Sequence, residues 1–354
     1  MGTWRIESEC SYLHGEPCRS ETFCVEVENQ EDKELYLDPS YLLWPGFIDF
    51  HAHLALEDSG GGLGVNDSEL IRLGVFGAAD AGTFGWQNTP ELNGLFEIPF
   101  KRWISLLPTG LATYPITPRY QGMTSEMEEQ IHQAVQLSKN NVLGIKIRLG
   151  QHDHLDDEML LADGVRIAEN LGIGLMVHFT GTFLPLATIV AALRPGDVLT
   201  HIFHGRRGSI LADGHLDSAI SDAVYRGILL DVGHGSSHFS WPVFLRARAE
   251  GLLADIISTD VTRYTINQSP LFDLPFVCSK LVSGGLDWDK IYQSTVEKPL
   301  EYLGLEIPNR SVVVLRKNYE SVIFGDSDGN LVEGSCRWDP ALVIYRGHLI
   351  SNEI

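Results

Sequence analysis

His51 and His53 close an apolar stretch, residues 44–53, that Pro45 and Gly46 interrupt. In an extended strand successive side chains point to opposite faces, so two histidines separated by one residue point the same way. Two imidazoles side by side on one face are suited to holding a metal ion. The pair alone favours the simpler interpretation, a strand end that carries two half-exposed histidines. A metal site therefore requires further ligands from elsewhere in the chain.

Short apolar runs alternate with longer helical stretches through the middle of the chain, which is typical of βαβ units. Helical spacing of apolar residues predicts helices over 123–138 and 158–170. The strand candidates are 47–54, 74–83, 102–107, 142–149, 173–179, 197–203, 227–232 and 255–260. Eight strands alternating with helices predict an α/β fold of the (β/α)8 TIM-barrel type. A doubly wound sheet is the alternative, but it normally has fewer strands per domain.

Both ends of the chain carry short alternating runs typical of strands. They lie at 23–27 and 34–37 near the start and at 311–315, 321–324 and 341–345 near the end, with a turn at Asp328-Gly329. Neither end is long enough to bury a core alone. We expect 1–44 and 304–354 to form one small β-sandwich domain, and 45–303 to form the barrel.

Chemistry in such a barrel takes place at the carboxyl ends of the strands. Ionisable residues stand at four of those ends besides the histidine pair: Lys146 on the fourth strand, His178 on the fifth, His201 on the sixth and Asp260 on the eighth. Each has an ordinary alternative interpretation, since a strand-end aspartate often caps the next helix and a lysine can extend its amine to the rim. Together they predict a metal centre.

The residue types suit a site for divalent ions. Neutral imidazoles and a carboxylate bind zinc or a similar ion. Burial without an acidic partner would lower the pKa of the Lys146 amine, because desolvation disfavours the ammonium form. A neutral amine can capture carbon dioxide as a carbamate, and two adjacent cations would stabilise the new negative charge.

The string Pro-Gly-Phe-Ile-Asp at 45–49, leading into the histidine pair, resembles the first barrel strand of the amidohydrolase superfamily. These proteins are metal-dependent hydrolases of amides, esters and ring lactams, and the resemblance covers nearly the whole chain. It implies two divalent ions, with zinc expected, bridged by Lys146 carboxylated on its amine (N6-carboxylation) and by a hydroxide. The family's pattern assigns one ion to His51, His53 and Asp260, and the other to His178 and His201.

The implied mechanism uses this pair of ions to make water reactive. Two cations lower the pKa of the bridging water, and one of them polarises the substrate carbonyl. Asp260 is then the catalytic residue that accepts the proton and returns it to the leaving group.

Segments 230–240 and 257–260, with 272–275, are similar to a deacetylase-type group that is also labelled dihydroorotase-like or adenine-deaminase-like. That likeness implies hydrolysis of an amide or ester bond in a small carboxylated metabolite. The chain departs from the group in its short N-terminal segment and in the loop 204–208. A cyclic amidohydrolase of the dihydroorotase or hydantoinase kind would use the same ligands and is the alternative. A non-catalytic scaffold of the same fold is the second alternative, and Lys146 argues against the single-metal deaminase branch.

Two further residues are candidates for binding substrate. Arg148 lies two residues beyond Lys146, so it faces the same side of the strand and could bind a carboxylate, or else pair with a neighbouring acid. His234 stands in a Gly-His-Gly turn, where the glycines allow close approach of the backbone to a ligand. Asp80, on the second strand, is expected to accept hydrogen bonds from nearby backbone amides.

Composition excludes several classes of partner. The 354 residues carry a formal net charge of −21, so nucleic acid and anionic membranes would be repelled. The five cysteines are odd in number and show no zinc-ribbon or redox spacing, which favours reduced thiols and a cytoplasmic location. We find no signal-peptide pattern and no apolar run approaching the roughly 18 residues of a membrane span. A small-molecule substrate is expected, and a homo-oligomer is left open.

Overall fold

Parallel strands from the middle of the chain form a curved sheet in the computed structural model. The structure describes residues 1–55, 63–89, 96–111, 118–138, 140–271 and 273–354. The strands are β1 (Gly2–Ser8), β2 (Glu21–Val27), β3 (Lys33–Leu37), β4 (Tyr41–Trp44), β5 (Phe47–Ala52), β6 (Val75–Gly85), β7 (Phe100–Ser105), β8 (Val142–Arg148), β9 (Gly174–His178), β10 (Val198–Thr200), β11 (Leu211–Ala212), β12 (His215–Leu216), β13 (Leu229–Asp231), β14 (Val312–Asn318), β15 (Val322–Gly325), β16 (Leu331–Gly334), β17 (Arg337–Tyr345) and β18 (His348–Asn352). Seven of them form one parallel sheet in the order β13-β10-β9-β8-β7-β6-β5. These are the first seven predicted barrel strands.

The eighth predicted strand, 255–260, closes the barrel without being a regular strand. It forms parallel bridges at Ile256 to Asp231 and at Val261 to Ala52, which join the two edges of the sheet. The backbone at Asp260 is left-handed, with φ +53°, so the extended conformation ends there. The predicted barrel is confirmed, but its last strand is irregular, and the chain turns at the end of it, at Asp260.

Helices cover the outside of the barrel. They are α1 (Asp67–Arg72), α2 (Ser125–Leu137), α3 (His154–Leu171), α4 (Leu186–Ala192), α5 (Ser218–Tyr225), α6 (Trp241–Ala249), α7 (Leu274–Ser283), α8 (Trp288–Tyr292) and α9 (Lys298–Leu303), with a π-helical turn at Gln293–Glu297 before α9. The predicted helix 123–138 corresponds to α2. The predicted helix 158–170 is a turn longer at its start, because Asp153 caps it by accepting a hydrogen bond from the backbone of Asp156. None of the described helices is both long and apolar enough to cross a bilayer.

Strands from both ends of the chain build two further sheets. One has the order β2-β1-β3, and the other, β18-β17-β14-β4, combines an N-terminal strand with three C-terminal ones. Apolar side chains of both sheets, including Trp4, Val27, Leu43 and Val314, share one buried core, as expected of a sandwich. The domain limits 1–44, 45–303 and 304–354 stay a prediction.

The hairpin β15–β16 leaves the sandwich and lies against the barrel. The backbone amide of Trp241, at the start of α6, donates a 2.8 Å hydrogen bond to Asp326. The amine of Lys280, on α7, donates to the carbonyl of Gly325 at 2.6 Å. This hairpin therefore braces the two helices that follow the seventh and eighth barrel strands.

Candidate metal centre

Three of the predicted ligands meet where the first and eighth barrel strands end. Oδ1 of Asp260 lies 3.2 Å from Nε2 of His51 and 3.1 Å from Nε2 of His53. One ligand atom from each of the three residues falls within 4.8 Å of the others. Both histidines are buried, as is most of the Asp260 side chain. This group can hold a divalent ion through two imidazoles and a carboxylate.

A second group stands beside the first and consists of three histidines. The rings of His178 and His201 lie 4.4 Å apart between centroids, and His238 lies 4.1 Å from His201 and 4.9 Å from His178. Their ligand atoms also fall within 4.8 Å of one another. His201 adjoins the first group through His51, with 5.0 Å between ring centroids. Two donor sets are therefore adjacent at one end of the barrel.

Lys146 projects from β8 into the same end of the barrel and is buried. Its Nζ lies 3.4 Å from Nε2 of His51 and 3.0 Å from the sulfur of Met176. Among the described residues no carboxylate forms an ion pair with it. Burial lowers the pKa of Lys146 to about 7. Near neutral pH the amine is therefore uncharged in a large fraction of the molecules. The uncharged amine is the form that reacts with carbon dioxide.

Hydrogen bonds on the far side of each ring fix the orientation of three imidazoles. Nδ1 of His51 lies 2.9 Å from the hydroxyl of Thr200 and 3.1 Å from Asp231. The other two rings are held through Nδ1 in the same way, His53 by the Thr83 hydroxyl at 2.8 Å and His201 by the Gly233 carbonyl at 2.6 Å. Partners of this kind orient metal-binding histidines and leave the other nitrogen available to an ion.

The backbone at two of these residues is strained. His201 has φ +69° and Asp260 has φ +53°, in the left-handed region that residues other than glycine rarely adopt. A conformation of this kind costs about 1–3 kcal/mol and persists only where the surroundings enforce it. The Asp260 amide donates to the carbonyl of His51 at 2.6 Å, which holds the turn. The left-handed backbone at His201 and Asp260 directs both side chains toward the two donor sets.

The charge state of Asp260 follows from its neighbours. Burial acts to raise the pKa of the carboxyl, but the charge of His51 and hydrogen bonds from His51 and His53 hold it well below its usual range. Asp260 is therefore a carboxylate at neutral pH. A carboxylate is the form that binds a cation or accepts a proton.

Arg148 ends β8 directly opposite His178 of β9. With Lys146 it lines a narrow pocket, whose other walls include Leu111 and Tyr120. Burial lowers the pKa of the Arg148 guanidinium. The pocket thus places a cationic group and apolar side chains beside Lys146.

His234, the other candidate for binding substrate, is fully buried. Its Nε2 lies 2.7 Å from the amine of Lys280, and its Nδ1 lies 2.8 Å from the carbonyl of Gly235. Both ring nitrogens have partners within the protein, so His234 enters the proposals below as part of the support around the centre. The role of His234 in binding substrate stays a prediction.

Two other aspartates named from the sequence accept backbone hydrogen bonds. Asp80 accepts hydrogen bonds from the backbone amides of Leu54 and Thr83, as predicted. Of the segment 272–275, position 272 lies outside the described residues, and Asp273 caps α7 by accepting from the backbone of Phe276.

Sequence reasoning missed His238 and Asp231. His238 follows the seventh strand in the stretch Gly-His-Gly-Ser-Ser-His at 233–238, and this position at the carboxyl end of a strand was a usable signal. Asp231 is the last residue of β13, an acid after an apolar run, which is the same signal that identified Asp260.

Comparison with known proteins gives relatives along most of the chain. A deacetylase of Enterococcus faecalis is 27% identical over 303 residues, covering 84% of this chain and 81% of that protein. A deacetylase of Agrobacterium fabrum is 28% identical over 295 residues, covering 80% and 71%. No family model matches the chain.

Solved structures agree on the fold. A dihydroorotase superposes with a TM-score of 0.83 at 22% identity, covering 99% of this chain and 98% of that one. An adenine deaminase superposes with a TM-score of 0.79 at 23% identity, covering 99% and 100%. The protein has the fold of the amidohydrolase superfamily, as the first barrel strand predicted.

Proposed function

We propose that the protein is a metal-dependent hydrolase that cleaves an amide or ester bond in a small carboxylated metabolite, releasing an acyl group such as acetate. The observation that carries the proposal is the adjacency of two donor sets beside the buried amine of Lys146. The naming of the relatives as deacetylases supports the bond class. Zinc as the ion, carboxylation of Lys146 and a cytoplasmic location belong to the same proposal.

The donor sets fit two divalent ions. His51, His53 and Asp260 would hold one ion, and His178 and His201 the other, with carboxylated Lys146 between them. When bound, such ions polarise a carbonyl and lower the pKa of the water they hold. The protein orients the imidazoles of His51, His53 and His201 through the hydrogen bonds at their Nδ1 atoms.

Asp260 is the residue that moves the proton. As a carboxylate on the rim of the centre it can accept a proton from the attacking water and return it to the nitrogen or oxygen of the leaving group. Its Oδ1 contacts His51 and His53, while its Oδ2 lies 3.7 Å from Nε2 of His238. This second oxygen is the one suited to proton transfer.

Arg148 accounts for the carboxylated substrate class. A guanidinium binds a carboxylate through two parallel hydrogen bonds, and such bonds are stronger where water is excluded. Arg148 and Lys146 line the same pocket, so a substrate carboxylate at Arg148 would place the adjoining acyl group beside the ions. The apolar wall at Leu106, Leu107 and Leu111 would take up a hydrocarbon side chain.

A cyclic amidohydrolase remains the alternative, since opening a ring amide requires the same donors. A scaffold without activity is disfavoured by the complete donor sets. The test is a panel of N-acetyl amino acids, O-acetylated hydroxy acids and dihydroorotate, assayed with zinc-loaded and chelator-treated protein. We expect turnover of acetylated acids that is lost on chelation and restored by zinc. Turnover of dihydroorotate alone would favour the ring-opening alternative, and full activity after chelation would overturn the proposal.

A further inference from the structure

We propose that His238 is a metal ligand, and that His178, His201 and His238 together hold the second ion without requiring Lys146. This inference rests on the proposed pair of ions but not on the bond that is hydrolysed. It adds a ligand from the loop after the seventh strand, which the sequence pattern does not assign.

The His238 ring makes no hydrogen bond with the part of the chain that the structure describes. Its Nδ1 is buried and makes no hydrogen bond with the described residues. Its Nε2 lies 3.7 Å from Oδ2 of Asp260, beyond hydrogen-bonding distance. An unsatisfied buried nitrogen costs about 1–3 kcal/mol. An ion bound at Nδ1 would recover that cost.

The loop that carries His238 is built to hold the ring in place. At Gly235, φ is +49°, and a Cβ there would lie 2.6 Å from Cδ2 of His238 and 2.7 Å from Oδ2 of Asp260. The next residue in the chain, Phe239, is buried and stacks on His234 with 4.8 Å between ring centroids. Gly235 thus lets the backbone approach the His238 ring closely, and Phe239 anchors the next residue of the loop.

Three neutral imidazoles are a complete protein ligand set for zinc, which leaves a fourth position for water. The amine of Lys146 contacts His51 of the first donor set and Met176 on β9, the strand that also carries His178 of the second set. The first set depends on Asp260 for its third ligand, whereas the second gains its third from His238. Lys146 is thus an addition to the second set and not its third member.

Crystallography of variants tests the proposal at each position separately. Lys146→Met and the double variant Lys146→Met/His238→Asn would be crystallised with zinc, and anomalous differences collected at the zinc edge. We expect Lys146→Met to keep a peak among His178, His201 and His238. The double variant should lose most of it, measured against the peak at His51 and His53 in the same crystal. Loss of the peak in Lys146→Met, or its survival in the double variant, would overturn the proposal.

A cobalt titration of the metal-free protein gives a readout in solution. His238→Asn should bind the second Co²⁺ about 10-fold or more weakly and change its visible absorption, because an imidazole leaves the coordination sphere. His215→Asn is the matched control, since that ring is exposed and contacts Glu250. Unchanged affinity and absorption in His238→Asn would overturn the assignment. Neither measurement requires turnover, so a failure of the proposed hydrolysis would be seen separately.

Discussion

Oδ2 of Asp231 lies 3.1 Å from Nδ1 of His51, on the other side of the ring from Asp260. The same carboxylate accepts hydrogen bonds of 2.6 Å from the hydroxyls of Thr200 and Ser258. Asp231 therefore keeps the proton of His51 on Nδ1 and leaves Nε2 as the atom that faces an ion.

Replacing Asp231 should weaken the first metal position. In Asp231→Asn the ring loses its charged acceptor, and we expect the affinity for zinc to fall about 10- to 100-fold. Competition with a fluorescent chelator measures this. Asp222→Asn, an exposed change on α5, is the control and should leave the affinity unchanged. Equal affinities in the two variants would show that Asp231 does not act on the metal position.

Asp260→Asn should remove most of the activity. The amide keeps the size of the side chain but cannot accept a proton, so we expect kcat to fall about 10²- to 10⁴-fold, the usual contribution of a positioned acid or base. Metal content should be measured on the same sample, because Asp260 also contacts His51 and His53. Turnover close to that of the unmodified protein would exclude the proton-transfer role.

The barrel could be predicted because its information is local. Apolar runs, helical spacing and ionisable residues at strand ends recur at the right intervals, and the structure brings His51, His53, Lys146, His178, His201 and Asp260 to one end of the barrel. The irregular form of the eighth strand could not be predicted. There Thr259 donates from its backbone and hydroxyl to Asp49, and these side-chain bonds replace a regular ladder.

Other parts of the site depend on contacts between distant segments. Whether His238 reaches His201 depends on the turn at Gly235, and the tautomer of His51 depends on an acid 180 residues away. The contact of hairpin β15–β16 with α6 and α7 joins segments that share no pattern in the sequence. The spacing of residues along the chain does not indicate which of these distant segments come into contact.

Arg148→Met should separate charged from neutral substrates. We expect kcat/KM for an N-acetyl amino acid to fall about 10²-fold, since a charge-assisted hydrogen bond contributes about 1.5–3 kcal/mol. The corresponding amide, which lacks the carboxylate, should be hardly affected. Arg206→Met, a change of an exposed arginine after the sixth strand, serves as the control. An equal loss on both substrates would mean that Arg148 supports the centre and does not bind the carboxylate.

Gly235→Ala should damage the site more than the strain alone explains. Its Cβ would press on His238 and Asp260, whereas at Gly172, with φ +64°, a Cβ meets nothing within 4 Å. Gly172→Ala should lower the free energy of unfolding by about 1 kcal/mol with activity unchanged. Gly235→Ala should lower it by about 2 kcal/mol or more and reduce kcat. Urea unfolding and turnover measure both, and equal effects of the two changes would contradict the close approach.

Lys280→Met should change how stability depends on pH. Burial lowers the pKa of Lys280 from 10.5 to about 7, although the charge of Asp326 acts to raise it. Between these two values the unfolded chain binds more protons than the folded one. The free energy of unfolding therefore rises with pH across this window, by up to about 1.4 kcal/mol per unit from this residue. Urea unfolding of metal-free protein between about pH 7 and pH 10 should show a smaller slope in Lys280→Met. Identical slopes would mean that the amine is charged in the folded protein throughout that range, held so by its bonds to His234 and the Gly325 carbonyl.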